Sequence, residues 1–206
     1  MLNSVNIGTR EVTPSNIICI GRNYVEHIEE LGNEIPEEMV VFNKPNSAIS
    51  KELYSFYDEP LHYEAELCFI VEKGLFSAVG FGIDLTKRAL QAKLKTSGLP
   101  WERAKAFNGA AVFSDFKTIT PDDINNTLRL VLTINDEVAQ QGGVQLMMHK
   151  PNEILTELSS FTTVNDGDII MSGTPKGVGK ISKGDLFEGN VYLGEHLLVS
   201  KSWVAQ

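Results

Sequence analysis

His62-Tyr63-Glu64-Ala65-Glu66-Leu67-Cys68-Phe69-Ile70-Val71 is the stretch on which the fold turns. It is rich in aromatic and β-branched residues and reads as one strand. Residues two apart on a strand share a face, so Glu64 and Glu66 would project together. A lone Glu-x-Glu is more often a solvated polar face. Here the run from Leu67 to Val71 is continuously apolar, which predicts burial on both faces. Two buried carboxylates repel unless a proton or cation joins them. A hard divalent cation with oxygen ligands answers that need.

Outward from this strand, Val79–Ile83 reads as a second strand feeding a helix at Leu85–Thr96, closed by Gly98 and Pro100. Asp84 stands at the junction, a position an N-cap would also explain. Asp84, Arg88 and Gln91 share one helical face, as a ligand site would, though a solvated face shows the same spacing. Upstream, Ile17–Ile20 is a strand and Tyr24–Leu31 a short helix. Asn23 is its expected cap, with Glu26 reaching back. On it, His27 and Glu30 sit three apart, a carboxylate in reach of an imidazole. Alone, this is a surface pair on an acidic helix. LGNEIPEE (31–38) is a connector, short strands are expected at Val40–Phe42 and Tyr54–Phe56, and the segment up to about Ser50 reads as a semi-independent flap.

The second half reads as β-rich. LRLVLTIN (128–135) and EVAQQ (137–141) bracket a hairpin, and PNEILTELSSF (151–161) is a helix with Pro151 in its first turn. Turns are expected at NDGD (165–168), KGD (183–185), EGN (188–190) and LGE (193–195). GTPKGVG (173–179) misses the spacing of a phosphate loop, and Pro175 removes a donor. It reads as a turn that presents Thr174 and its backbone to a ligand. The rhythm predicts a mainly β roll or barrel with flanking helices, in one domain spanning 1–206.

Composition agrees. The 206 residues are 42% hydrophobic and 22% charged, ordinary for a globular chain. The net charge of −9 opposes binding to a phosphate backbone, so no nucleic-acid partner is expected. No apolar run approaches the ~20 residues of a membrane span. No secretory signal is read in the first dozen residues. Cys19 and Cys68 lie in apolar runs without a CxxC partner, which suits buried thiols in a reducing, cytoplasmic setting.

Taken in order, IGRNYVEHIEELG, VVFNKPNSAI, LHYEAELCFIV, DLTKRALQ, GLPWERAKAF, the Asn135–Gln140 hairpin and GDIIMSGTPKGVG resemble the fumarylacetoacetate hydrolase family. They are most similar to its short acylpyruvate hydrolase and oxaloacetate decarboxylase branch, and they run from Ile20 to Gly179. The resemblance implies a β roll with a mobile helical lid, assembled as a homodimer. It implies Mg²⁺, with Mn²⁺ as an alternative, on Glu64, Glu66 and Asp84. His27 and Glu30 would be the water-activating pair on the lid, and Lys105 the lysine near a developing oxyanion. Arg22, Lys44, Arg88, Gln91, Gln140 and Thr174 would hold the carboxylate and oxo groups of a small 2-oxo acid. The implied reaction is C–C hydrolysis of an acylpyruvate through a pyruvate enolate. Oxaloacetate decarboxylation or tautomerisation, or isomerisation of a 2-oxo diacid, is the alternative on the same enolate; an inactive metal-binding relative is the alternative of another class.

The chain also departs from the family. Asp84 lies only eighteen positions after Glu66, Ala89 stands where an acid is frequent, Val112 replaces a common proline, and GGVQLMMHK lacks the usual Thr/Ser-rich turn. These departures bear on substrate choice rather than on the cation site.

Overall fold

In the structure, a computed structural model, residues 2–32, 34–124 and 127–206 are described. The architecture is the mainly β roll with flanking helices that the sequence predicts. Its centre is an eight-stranded sheet. From one edge run Val40–Pro45, Asn16–Gly21, Ile169–Met171, Ala65–Glu72, Leu75–Asp84, Ala111–Phe113 and Ile49–Ser50, with Lys117–Thr118 paired to Leu75–Asp84. Most neighbours are antiparallel. Ile169–Met171 runs parallel to Asn16–Gly21, and Ala111–Phe113 to Ile49–Ser50. A four-stranded sheet, Glu137–Gly143, Leu128–Ile134, Leu186–Leu193 and His196–Val204, covers one face.

Central strands are apolar on both sides, as Leu67–Val71 predicts. Leu67, Phe69 and Val71 join the larger core with Phe81, Phe187 and Trp203, whereas Cys68 and Ile70 join a second cluster with Ile17, Cys19 and Met171. Both cysteines are buried free thiols.

Several expectations change. The segment up to Ser50 is no flap, because Asn16–Gly21 and Val40–Pro45 lie inside the central sheet. The stretch 62–71 is two strands, Glu59–Tyr63 and Ala65–Glu72, broken at Glu64. The first pairs with Thr86–Lys87 and Gly179–Lys180 in a separate small sheet, so the chain changes sheets at Glu64. The strand expected at Tyr54–Phe56 is Phe56–Tyr57. Among the described residues four α-helices flank the sheets: α1 (Val25–Glu30), α2 (Arg88–Thr96), α3 (Glu102–Lys105) and α4 (Pro151–Phe161). Of the expected connector 31–38, residue 33 lies outside the described residues; the remainder holds no helix or strand.

EGN (188–190) is not a turn but the middle of the strand Leu186–Leu193. Gly189 is there because the Phe81 ring leaves no room, and an added Cβ would collide with it. Gly189→Ala should therefore lower stability by about 1–3 kcal/mol, read as an earlier urea midpoint with an unchanged slope.

Candidate active site

The short Glu66–Asp84 spacing resolves into a tight hairpin. Lys73 and Gly74 form the turn with φ of 54° and 73°, and the ladder places Glu66 opposite Gly82. The strand Leu75–Asp84 ends on Asp84, whose N–H donates to the Glu64 carbonyl at 2.8 Å. Glu64, Glu66 and Asp84 thus meet although Glu64 lies outside both strands. One ligand oxygen from each falls within 4.8 Å of the others, and all three residues are buried.

Asp84 does not cap α2, which begins four residues later with Lys87 at the cap position. Its first-turn N–H groups of Ala89 and Leu90 are met instead by Glu59 Oε1 at 3.0 and 3.3 Å. An acid from a neighbouring strand thereby supplies negative charge to a helix N-terminus whose own sequence has none.

Cations surround two of the three carboxylates. Lys105 Nζ, at the end of α3, donates to Glu64 Oε2 at 2.8 Å, Asp84 Oδ2 at 2.7 Å and Thr86 Oγ1 at 2.6 Å. An ammonium has three hydrogens, so in this arrangement Lys105 ties the carboxylates together rather than facing a substrate oxygen. Lys44 Nζ lies 2.7 Å from Asp84 Oδ1 and donates to the Lys105 carbonyl. Arg88 donates to Glu64 Oε1 and, at 2.8 Å, to Gln91 Oε1. Glu66 has no such counter-ion among the described residues. Its Oε2 accepts the Gly173 N–H at 2.7 Å.

The acidities follow. Burial alone would raise Glu64, but Lys105 and Arg88 outweigh it and hold the group below the usual carboxylate range. Burial, then the charges of Asp84 and Glu64, push Glu66 well above it. Burial opposes the Lys105 charge, yet Asp84 and Glu64 raise its pKa further. Such a buried set, one member kept from ionising by the others, is what an added divalent cation relieves.

The lid helix α1 closes over this set. It connects two adjacent strands of the central sheet, Asn16–Gly21 and Val40–Pro45. Asn23 does not cap it. Its side chain instead bridges the His149 and Ser172 carbonyls, at 3.0 and 2.8 Å, and accepts the His149 N–H at 2.7 Å. Tyr24 holds the cap position without a side-chain bond. Arg22 has φ of 57°, a left-handed conformation rare outside glycine. His27 is buried, with Nδ1 3.3 Å from Glu30 Oε2. Glu30 in turn accepts the Gly177 N–H at 3.0 Å from the GTPKGVG segment. Burial lowers the His27 pKa, with Glu64 and Glu30 opposing, so the imidazole is neutral at pH 7.

The cavity beneath the lid is bounded by Arg22, His27, Glu64, Glu66, Asp84, Arg88, Gln91, Lys105 and Thr174. Lys44 and Gln140 stand behind its wall rather than on it. Gln140 accepts the Ala65 N–H at 2.9 Å and donates to Thr174 Oγ1 and the Pro175 carbonyl, at 2.9 and 2.7 Å. It positions the strand start and the threonine loop. Lys95 and Trp101 also line the cavity, and the sequence reading missed both. Lys95 lies seven residues beyond Arg88, so continuing the helical spacing would have found it.

Only about 30 Å³ is open to the centre of a water-sized sphere, room for one or two waters and none for a 2-oxo acid. A larger ligand would need this space widened, and α1, which bounds it through His27 and Ile28, is the shortest helix on its wall apart from α3. Six residues are too short to be a stable helix alone, so its order depends on docking. Adding oxalate with Mg²⁺ should slow amide exchange across residues 25–31. Equal exchange with and without ligand would speak against a moving lid.

These features define a family. Residues 16–197 match the model for the fumarylacetoacetate (FAA) hydrolase C-terminal domain, and the chain belongs to that family of enzymes. It is 37% identical to oxaloacetate tautomerase YcgM of Escherichia coli (strain K12), over 83% of this chain and 85% of that one. A solved structure from Oleispira antarctica matches with a TM-score of 0.94 at 29% identity, covering 100% of both chains. The fumarylpyruvate hydrolase of Pseudomonas aeruginosa, solved with Mn²⁺ and pyruvate, matches with a TM-score of 0.88 at 25% identity, over 99% of this chain and 95% of that one. No helix among the described residues is long and apolar enough to cross a membrane.

Proposed function

We propose that the chain interconverts the enol and keto forms of a small 2-oxo diacid of the oxaloacetate type, with Glu64, Glu66 and Asp84 holding a divalent cation, Mg²⁺ or Mn²⁺. The observation that carries this reading is a buried His27, oriented by Glu30, on the same small cavity as three carboxylates. The likeness to an oxaloacetate tautomerase over most of both chains supports the substrate class. We extend the proposal to one catalytic domain, 1–206, working as a homodimer.

His27 does the proton work. Glu30 engages Nδ1, which assigns the proton there and leaves the Nε2 lone pair for the substrate. Nε2 takes a proton from the carbon between the two carbonyl groups, leaving an enolate, and the imidazolium so formed returns that proton to the 2-oxo oxygen; the reverse sequence returns the keto form. A bound divalent cation would act as a Lewis acid on that oxygen. Arg88 with Gln91, and Thr174 across the cavity, would orient the carboxylate beside it. Lys105, bonded to Glu64, Asp84 and Thr86, would hold two of the cation's ligands in place and add positive charge beside the oxygen where charge develops.

The fumarylpyruvate hydrolase likeness favours a second reading, C–C hydrolysis, in which His27 removes a proton from a water that attacks the distal carbonyl. One set of assays separates them: the ultraviolet decay of oxaloacetate enol, and release of pyruvate from oxaloacetate and from acetylpyruvate, each with Mg²⁺ and with chelator. We expect chelator-sensitive acceleration of the enol decay and little pyruvate. Cleavage of acetylpyruvate without that acceleration would install hydrolysis instead. Activity on neither substrate would overturn both readings.

A further inference from the structure

Beyond the residues already discussed, α2 carries a cation whose surroundings ask for an anion. Arg88, Gln91 and Lys95 are spaced i, i+3, i+7, so all three face the cavity. Arg88 is committed to Glu64 and Gln91. Lys95 is half-buried, lies 5.2 Å from the centre of the Trp101 ring, and pairs with no carboxylate among the described residues. It stands where the inner cavity meets an outer cleft of about 330 Å³, and Leu31, Arg88 and Gln91 border both spaces. Arg22 lines the inner space beside it.

A basic residue in the last turn of a helix also suits the helix dipole. Lys93 meets that need from an exposed position in the same turn. Lys95 does something costlier. Burial, then the nearby charges of Arg22 and Arg88, lower its pKa to about 8. A chain of net charge −9 has acids to spare, yet among the described residues none pairs with this ammonium, and the charge of Glu64 offsets its neighbours only in part. An ammonium at the mouth of a site, with no carboxylate paired to it among the described residues, draws an anionic ligand.

We propose that Lys95, together with Arg22, receives the second carboxylate of the substrate and so selects 2-oxo diacids over 2-oxo acids with a neutral tail. The first carboxylate and the 2-oxo group point inward to the acidic set, and the far end of the molecule runs to the cavity mouth. The proposal rests on the enol–keto reading for its substrate class, but it concerns recognition rather than chemistry.

Two comparisons test it. The first sets oxaloacetate against its 4-ethyl ester, which enolises but lacks the second charge. A charge-assisted hydrogen bond is lost in Lys95→Met, so kcat/KM for oxaloacetate should fall about ten- to a hundredfold, chiefly through KM. The ester should change less than about twofold. Lys95→Arg should restore most of the preference, and Lys93→Met should leave both substrates unchanged. The second comparison needs no turnover: calorimetric binding of 2-oxoglutarate and 2-oxobutyrate, with Mg²⁺ present, to wild type and Lys95→Met. The wild type should favour 2-oxoglutarate, and the variant should lose that preference. If neither substrate turns over but this binding preference holds and depends on Lys95, the reaction assignment falls and the subsite stands. If Lys95→Met weakens diacid and neutral-tailed ligands equally, the subsite is overturned.

Discussion

Stripping divalent cations from the protein should lower its melting temperature by about 5–10 °C, relative to protein holding a cation at a hundredfold its dissociation constant. The gap should widen as pH rises from 5 to 8. Glu66 sets the sign. Its carboxyl in the folded, cation-free protein titrates well above its unfolded value, because burial and the charges of Asp84 and Glu64 oppose ionisation. Between those two values the unfolded chain has lost a proton that the folded chain keeps, so stability falls as pH rises through that window. Glu64 acts in a different window. Its folded value is depressed, so its contribution is complete above the ordinary carboxylate range and is lost only as pH falls below it. Cation binding needs Glu66 ionised, so affinity grows with pH and a proton is released on binding. Glu66→Gln keeps the size of the side chain and removes the charge. In that variant the cation-free protein should be at least as stable as wild type, the cation-induced rise should vanish, and activity should drop at least about a hundredfold. An unchanged melting temperature on adding Mg²⁺ and Mn²⁺ to wild type, with full activity in Glu66→Gln, would remove the cation site from the account.

His27→Ala should slow enol–keto interconversion by about 10²–10⁴-fold, the usual cost of a missing general base. Any acylpyruvate cleavage should be lost to the same degree, since the attacking water also needs a base. Loss of CO₂ from oxaloacetate requires no proton abstraction by His27, so whatever decarboxylation the wild type shows should largely survive. It should still vanish in Glu66→Gln. The pH profile adds a second readout. Burial depresses the His27 pKa, so the imidazole remains a base below the ordinary histidine range and the acid limb of the profile lies there. Glu30 raises that value. In Glu30→Gln the acid limb should therefore move to lower pH while the plateau falls, because the imidazole becomes a weaker base and loses its orienting partner. A His27→Ala variant that interconverts oxaloacetate at the wild-type rate would remove the base from the proposal.

Much of this site was legible because its residues are close in sequence or regular in spacing. Glu64, Glu66 and Asp84 were found from a strand pattern and a junction, and the structure brings them together. The reason given for Glu64 was incomplete: it shares no strand with Glu66, and its place comes from the change of sheet between Tyr63 and Ala65. Such a break needs partners such as Thr86–Lys87 and Gly179–Lys180, which local propensity does not reveal. The same limit explains Asn23, whose bonds go to His149 and Ser172 over a hundred residues away. It also explains Glu59, which serves a helix thirty residues downstream. Lys44 and Gln140 came only from the family resemblance. The structure puts them behind the cavity, where they hold Asp84 and Thr174. In the fold, the hairpin at Leu128–Gly143 and the helix Pro151–Phe161 were read correctly because their turn and first-turn proline act locally. EGN (188–190) misled because a glycine needed for a ring in the next layer looks like a glycine needed for a turn.

The two strands that carry α1 stay paired up to the point where the lid departs: Gly21 stands opposite Val40 at the end of their ladder. The excursion between them therefore leaves and returns through one doorway in the sheet. Its ends are fixed by backbone hydrogen bonds that do not depend on what lies between. Lengthening such a closed loop costs little, because closure entropy grows only with the logarithm of its length. The acidic set, by contrast, is built from the sheet and from α3, elements the excursion does not interrupt. The part of the excursion beyond α1 is thus free to vary while the reaction chamber keeps its frame. Grafting a longer or differently charged segment in place of residues 32–39, with Asn23, His27 and Glu30 kept, should change which tails are admitted while leaving the carboxylates in register. A single frame is in this way open to new substrates without being refolded.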